Sequence, residues 1–494
     1  MAQITTTEAQ AREQLEKMLK RLERDQNAIG RFQRYYDGEH NLRFATRKFR
    51  ESFGALFKEF ADNWMGVVVD AAVERMKIEG FRFPVPTEDG GEPEVTGDDD
   101  LTTGDPLAWD IWQRNNLDLG SELAHEQMFV SGRAYLLVSP QEDGSTDNPV
   151  ITVEHPSETY VHHQANSLSP RVAAIKRWYD HDSERIYATL YLRDSVWKFQ
   201  SKEQTGLDEG TNVAAWEPRD LGVAPAVLEN PLGVIPVVPL YNRQQLLGHG
   251  KSEIEEVIPL QDALNKFWND MMVASEFSAF RQRVFIGMET PEDEHGNPIP
   301  DFDLQAAVNR IMAVKDPNVK LEEFQVSDLS GMLAAIVACR DHVAARTRTP
   351  PHYLVGQVVN VSGDALKAAE GGLVSKVKRR SRFAGEGWEE TERLAFALKA
   401  IDAPVDERKA LQARATFYSA ETIWMNPEIT TESQLADALA KYAALGVPRV
   451  PLWERMGASQ TEITRWQSLL ESEAQPLPER ALAAILTAGG AEGL

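Results

Sequence analysis

An α+β fold is predicted for this 494-residue chain by three observations. Runs with helical spacing occupy both ends. Between them, from about residue 134 to 200, lies a block of short runs rich in Val, Ile, Tyr and Trp, separated by turn residues. A third helical run, from Ser362 to Ala400, is far longer than a compact domain needs: at about 1.5 Å per residue it spans roughly 58 Å.

From Thr7 to Tyr36, Leu15, Leu19, Leu22, Ile29 and Phe32 recur at helical spacing with charges between them. After Asp37-Gly38, Phe44 to Phe57 is aromatic-rich, and Asn63 to Met76 reads as a buried helix ending before Gly80. Pro84 to Pro106 combines Pro, Gly and acidic residues without periodicity and reads as a solvated loop, the triplet Asp98-Asp99-Asp100 included. Leu107 to Asn116 and Leu119 to Val130 follow as helices. Strands are expected at Ala134 to Ser139, Val150 to Glu154, Thr159 to His163, Val172 to Tyr179, Ile186 to Leu192 and Val196 to Gln200, close enough together for antiparallel hairpins. Val234 to Tyr241 (VIPVVPLY) is extended, because its prolines exclude a helix.

Two amphipathic helices, Pro259 to Arg283 and Asp328 to Arg348, bracket a mixed insert. Pro259 suits a first helical turn, and Thr349-Pro350-Pro351 stops the second helix. The insert reads as strand (Val284 to Met288), acidic turn, short helix (Leu304 to Val314) and strand (Val319 to Val326). An apolar loop, Pro350 to Val361, then leads to the long helix. Gly371-Gly372, Gly385 and Gly387 lie inside that helix and predict a bend. Beyond Pro404 shorter helices follow, with capping-box spacings at Thr431/Gln434 and Ser459/Glu462. The composition after Pro476 reads as a mobile tail.

The net charge of -24 argues against a free chain that coats nucleic acid, since such binding rests on Lys and Arg neutralising phosphates. It does not argue against a protein that surrounds DNA without gripping it. The single cysteine, Cys339, excludes an intramolecular disulfide and is expected as a packed thiol. No apolar run is long enough for a membrane span, and the polar start of the chain has no signal-peptide core, so synthesis in the cytoplasm is expected.

Little in the chain points to catalysis, a cofactor or a metal. Gly250-Lys251-Ser252 matches the end of a phosphate-binding loop, but the glycine needed five positions earlier is Gln245. His155, His162 and His163 lack metal-ligand spacing. Two features do call for a role. Lys376, Lys378, Arg379, Arg380 and Arg382 form one concentrated basic run, suited to phosphate or to a neighbouring subunit. The loop Pro350 to Val361 (PPHYLVGQVVNV) is too apolar to lie wholly in solvent.

Seven stretches together resemble the portal proteins of tailed bacteriophages, of the siphophage type found in actinobacterial phages. They are YYDGEHNLRF from Tyr35, FADNWMGVVVDAAVERM from Phe60, ITVEHPS from Ile151, NPLGVIPVVPL from Asn230, KSEIEEVIPLQDALNK from Lys251, ASEFSAFRQR from Ala274 and RTPPHYLVGQVVNVSGDALKAAE from Arg348. Each alone is weak; as an ordered set they are specific.

The resemblance implies a portal fold: a wing (1–250) of helices and antiparallel β, a stem of two helices (251–283 and 328–349) flanking a mixed α/β clip (284–327), a tunnel loop (350–361), a long spine helix (362–404), and a helical crown with its tail (405–494). It implies a homo-oligomeric ring of about twelve subunits at one capsid vertex of the virion, carrying genomic double-stranded DNA during packaging, retention and ejection. Its implied partners are the large terminase, the head-to-tail connector, and the major capsid and scaffolding proteins, with no membrane, no catalytic residue and no cofactor. ATP hydrolysis would belong to the terminase. On this mapping His352, Tyr353, Gln357 and Asn360 face DNA, and Lys376, Arg379 and Arg380 contact phosphate or a neighbouring subunit. Two other classes compete. A helix-turn-helix regulator would use Glu432 to Leu445 and Gln460 to Glu473, yet the second helix sets Arg465 against Glu462, Glu471 and Glu473. A nucleotide-driven motor would rest on Gly250-Lys251-Ser252.

Overall fold

A computed structural model of the chain describes residues 4–40, 62–83, 104–202, 216–219, 225–279, 283–286, 295, 320–323, 329–355, 363–428 and 432–474. The expected aromatic-rich segment Phe44 to Phe57, the acidic triplet, the insert helix Leu304 to Val314 and the tail after Pro476 lie outside these residues. The chain divides into two compact units, one of residues 1–40, 63–258 and 343–494, the other of 41–62 and 259–342.

In the first unit, α1 (Glu8–Tyr36) starts at a capping box between Thr7 and Gln10, which satisfies two end donors reciprocally. Next come α2 (Trp64–Val73), β1 (Ile78–Arg82), α3 (Pro106–Arg114) and α4 (Leu117–Ser131). The β-rich block supplies β2 (Arg133–Ser139), β3 (Val150–Glu154), β4 (Thr159–His163), β5 (Arg171–Asp180), β6 (Arg185–Tyr191), β7 (Ser195–Ser201), β8 (Trp216–Pro218), β9 (Val227–Glu229) and β10 (Val237–Tyr241). Strands β4-β5-β6-β7-β8 run antiparallel in that order, with β9 also pairing β7, and β10-β2-β3 form a separate antiparallel sheet.

The apolar stripe of α1 explains where the larger sheet finds its core. Ala11, Leu15, Met18, Leu19 and Leu22 pack with Tyr160, Ile175, Ile186, Leu190, Trp197 and Phe199 in one buried cluster. Burying each such side chain contributes about 1.5–3 kcal/mol. Asp194 ties down the start of the chain: its carboxylate accepts from the Thr5 N–H (2.8 Å) and the Thr6 N–H (2.8 Å). Burial opposes its charge, but donors from Thr5, Ser195 and Thr6 outweigh burial and hold its pKa well below the ordinary range.

The second unit contains most of α5 (Ile258–Ala279) and of α6 (Ser330–Thr347), with the hairpin strands β11 (Arg283–Ile286) and β12 (Lys320–Glu323) between them in sequence. The strands pair antiparallel, with Arg283 opposite Glu323. The helix is described to Ala279, and Arg283, expected as its last residue, instead opens β11, because the β-type run Val284-Phe285-Ile286 and its pairing begin there. Within this unit, Gln261 Nε2 donates to the Asp62 backbone oxygen (2.5 Å) and Trp268 Nε1 to Asp62 Oδ2 (3.1 Å). Cys339 is free and half-buried, and burial raises its thiol pKa.

Beyond α6 the expected loop begins as a short helix, α7 (Pro351–Val355). Pro351 fits a first helical position, and Pro350 accepts from the Tyr353 N–H (3.0 Å). The long helix, α8 (Gly363–Asp402), is uninterrupted through its four interior glycines, Gly371, Gly372, Gly385 and Gly387. At least one glycine serves close packing: a Cβ on Gly387 would sit 2.4 Å from Leu240 Cδ2. Trp388 is fully buried, lies 5.0 Å from the Trp112 ring, and donates from Nε1 to His125 Nε2 (3.0 Å). Burial drives the His125 pKa down to about 3, which keeps that nitrogen an acceptor.

The remaining elements are α9 (Val405–Thr416), β13 (Glu421–Trp424), α10 (Glu432–Ala444), α11 (Arg449–Met456) and α12 (Gln460–Ala474). Strand β13 departs from the all-helical expectation for this region. It pairs antiparallel with β1, so residues 78–82 and 421–424 share a sheet. The Ser459/Glu462 capping box forms, with Glu462 Oε2 accepting from the Ser459 N–H (2.9 Å). Helix α11 stands between the two helices required by the helix-turn-helix reading, which removes its short turn. Val450, Ala458 and Ile463 form a small core there with Trp453 and Trp466. Among the described residues, no helix is long and apolar enough to cross a membrane.

Candidate functional site

The joint between α6 and α8 is where the odd features of the sequence converge. Helix α6 ends in a backbone that turns through Arg348, held in the left-handed region at φ 56°. Thr347 and Thr349, each 2% exposed, close the turn: Thr347 Oγ1 donates to the Val343 oxygen (2.8 Å), and the Thr349 N–H donates to the Ala344 oxygen (3.1 Å). Polar groups this deeply buried must be paired, and here they are.

Two buried ionic clusters hold this joint. In the first, Lys376 Nζ donates to the Thr347 backbone oxygen (2.9 Å) and lies 3.9 Å from Glu253 Oε1. Arg380 Nη2 donates to Glu253 Oε2 (3.1 Å), and Asn242 Nδ2 donates to the same oxygen (3.1 Å). Burial drives the Lys376 pKa down to about 8. Burial also opposes ionisation of Glu253, but Lys376 and Arg380 outweigh it and hold that carboxyl below its ordinary value.

In the second cluster, Arg75, just past α2, donates from Nη2 to Tyr353 Oη (2.5 Å) and to Glu370 Oε2 (3.2 Å), and from Nη1 to the Pro427 oxygen (3.1 Å). Its guanidinium also lies 5.8 Å from the Tyr353 ring centroid. His352 Nε2 stands 3.5 Å from Glu370 Oε1. His352 and Tyr353 are thus clamped onto Arg75 and Glu370, whereas Gln357 and Asn360 lie outside the described residues.

The basic run divides. Lys376 and Arg380 are buried and spent on Glu253 inside the subunit. Lys378 pairs with Glu428 (2.5 Å), and Arg379 remains exposed, its guanidinium over the Phe383 ring. Helical spacing already carries this signal, because Lys376 and Arg380 fall on the stripe of Leu373, Val377 and Ala384, all fully buried, while Arg379 does not. No charge pattern in the sequence marks Arg75, Glu253 or Glu370. All three nevertheless sit inside the stretches AAVERM, KSEIEE and ALKAAE that carry the family resemblance.

Gly250-Lys251-Ser252 has a structural use that differs from phosphate binding. The Lys251 N–H donates to the Asn242 oxygen (2.8 Å), and just beyond the motif the Glu253 N–H donates to the Phe129 oxygen (2.9 Å). A Cβ on Gly250 would meet the Gly132 oxygen at 2.0 Å and the Asn242 oxygen at 2.4 Å. Gly250→Ala is therefore expected to destabilise the first unit by about 3 kcal/mol, the upper end of ordinary overpacking costs. Denaturant titration checks this, and a loss below about 1 kcal/mol would contradict the close approach. The three histidines are dispersed: His155 Nδ1 meets Ser157 Oγ (2.6 Å), and His163 bridges the Ser169 oxygen (2.8 Å) and Tyr241 Oη (3.2 Å). Among the described residues, no group of three or more His, Cys, Asp or Glu side chains could hold a metal ion.

Comparison with known proteins bears on what this joint serves. Residues 15–476 match a family model described as "Phage portal protein, SPP1 Gp6-like". The portal protein of Mycobacterium phage D29 is 32% identical over 419 residues, covering 81% of this chain and 77% of that protein. The portal protein of Mycobacterium phage L5 is 31% identical over 420 residues, covering 81% of this chain and 76% of that one.

Proposed function

The chain belongs to the phage portal proteins of the SPP1 Gp6-like family, and from that premise we propose how its parts serve a DNA conduit. Copies of the chain close into a ring of about twelve at one capsid vertex of the virion, and genomic double-stranded DNA passes along its axis during packaging, retention and ejection. The observation that carries this reading is the extent of the family match, from residue 15 to residue 476, across both compact units.

Physical features support the assignment of parts. An excess of 24 negative charges suits a channel, because a duplex that must slide is better met by repulsion than by a sink of Lys and Arg. Leu333 and Val337, four residues apart on α6, are 47% and 43% exposed and offer an apolar stripe for packing against a neighbouring stem helix. The insert at 284–327, of which β11 and β12 form the described part, serves as the clip that meets the large terminase and later the head-to-tail connector. Residues 405–494 form the crown, and the outer wing meets major capsid and scaffolding proteins. Synthesis takes place in the host cytoplasm before assembly.

The segment 350–361 acts as the tunnel loop. His352 and Tyr353 anchor its root, and Gln357 and Asn360 approach DNA. Arg379 is the member of the basic run left for phosphate or a neighbouring subunit, while Lys376 and Arg380 brace the joint. Nucleotide hydrolysis belongs to the terminase, so the purified chain should turn over no ATP.

Excising residues 356–361 tests the reading. Rings of wild-type mass are expected by negative-stain microscopy, with DNA packaged per particle reduced at least about tenfold, a loss of the kind seen when positioning contacts are removed. Normal packaging by such rings would overturn the role of the loop.

A further inference from the structure

Two surfaces of the first unit match each other in chemistry and lie at opposite edges of one sheet. The first is a groove of about 690 Å³ beside the edge strand β10, lined by Pro239 and Tyr241 of that strand, by neighbouring loops and by α8. Its apolar floor includes Leu168, 75% exposed, Val234, 41% exposed, and Phe383. Four arginines line it against two glutamates. Arg171 is spent on Glu390, at 2.6 and 2.8 Å, and Arg393 stacks over Tyr418. Arg193 and Arg382 are exposed and have no hydrogen-bond or ion-pair partner among the described residues. In a chain with 24 excess negative charges, a groove with free arginines is a local exception.

The second surface is the outer face of α4. Leu119 and Leu123, one turn apart, are 63% and 48% exposed, and Glu122 stands exposed beside them. This half of the helix lies over β3, the other edge of the β10-β2-β3 sheet: a Cβ on Gly120 would be 3.5 Å from Val153 Cγ2. Nearby, Asn115 Nδ2 donates to the Pro149 oxygen (3.0 Å), and the Ile151 N–H donates to Asn115 Oδ1 (2.9 Å). A ring needs two different surfaces, each complementary to the other, on each subunit.

We infer that the Leu119-Glu122-Leu123 face of one copy docks into the Arg193-Arg382 groove of the next. The leucines meet Leu168, Val234 and Phe383, and Glu122 meets the free guanidiniums. This rests on the ring reading above but assigns the surfaces that close it. Apolar contact supplies the affinity, and the charges fix register and direction, so that neither groove to groove nor face to face is favoured.

The test compares solution masses of the full-length chain, by native mass spectrometry, for the wild type, Arg193→Glu with Arg382→Glu, Glu122→Arg with Leu123→Arg, and a one-to-one mixture of the two variants. The wild type should give annular masses. Each variant should remain a single copy, its copy-to-copy affinity lowered at least about a hundredfold. The mixture should regain multi-copy complexes, because the intact helix face of one variant meets the intact groove of the other and the two reversed surfaces are again opposite in charge. Complex formation also shows that both variants are folded. Wild-type rings from either variant, or a mixture that stays single-copy, would overturn this assignment and leave the ring reading standing. A wild-type chain that never exceeds one copy would sink both.

Discussion

Glu253→Gln is expected to lower the unfolding free energy of the first unit by about 3–5 kcal/mol, because it leaves two buried cations facing a neutral amide. Glu253, Lys376 and Arg380 are at most 7% exposed, so water cannot take over the lost charge. The pH dependence follows from the direction of each shift. The Glu253 carboxyl is held below its ordinary value of 4.5, so its contribution is complete above that pH and is lost as pH falls through the folded value. The Lys376 ammonium is pushed from 10.5 to about 8. Between those values the unfolded chain holds a proton that the folded chain has released, and stability rises with pH. Denaturant titrations at about pH 4, 7 and 9 check both arms: the gap between wild type and variant should narrow in acid, and wild-type stability should rise with pH between about 8 and 10.5. Adding Lys376→Met to Glu253→Gln should recover part of the loss, since one stranded charge is removed. A loss below about 1 kcal/mol at pH 7 would mean that the pair is solvated and the brace is not ionic.

Arg75→Ala should act on both stability and transport. It strands the Glu370 carboxylate, 4% exposed, and takes away the donors to Tyr353 Oη and the Pro427 oxygen, for a cost of about 3 kcal/mol or more. Because Tyr353 and His352 stand at the root of segment 350–361, rings that still form should package DNA poorly even below their melting temperature. Tyr353→Phe separates the two effects. It removes one hydrogen bond, worth about 1 kcal/mol, and keeps the ring stacked beneath the guanidinium. Arg75→Lys should not rescue, since an ammonium cannot serve Tyr353, Glu370 and Pro427 in the planar fork that the guanidinium provides. The mass of DNA per particle, set beside the thermal midpoint of the ring, measures this. Packaging that simply tracks stability across the three variants would remove any positioning role for Arg75.

Local pattern made β2 to β7 and the longer helices legible to within a few residues, whereas the short strands β1, β8, β9 and β13 and the short helix α7 carried no expectation. Val150 to Glu154 and Thr159 to His163 were expected as strands with the bounds observed for β3 and β4, because β-type residues there sit between Pro and Gly-rich turns. The pairing of β1 with β13 was not legible. Each strand is only four or five residues long, and the β-type run Thr422-Ile423-Trp424 is too short to mark a strand among helical neighbours. The ionic clusters were equally hidden, since Arg380 and Glu253 are 127 residues apart and Arg75 and Glu370 are 295 apart. Periodicity reports which face of an element is buried, and it could have separated Lys376 from Arg379. It is silent on which distant partner neutralises a buried charge.

The β1–β13 pair sets an order of events during translation. Ile78 to Arg82 leaves the ribosome roughly 340 residues before its partner strand, a wait on the order of half a minute at elongation rates of about 5–20 residues per second. Through that interval a short strand containing Phe81, fully buried in the finished fold, has an open edge of the kind that recruits wrong neighbours. A premature stop after Pro404 would make that exposure permanent. The carboxyl-terminal region is therefore a late clasp on the amino-terminal one, and shortened products should be cleared or aggregate before they can poison an assembling head.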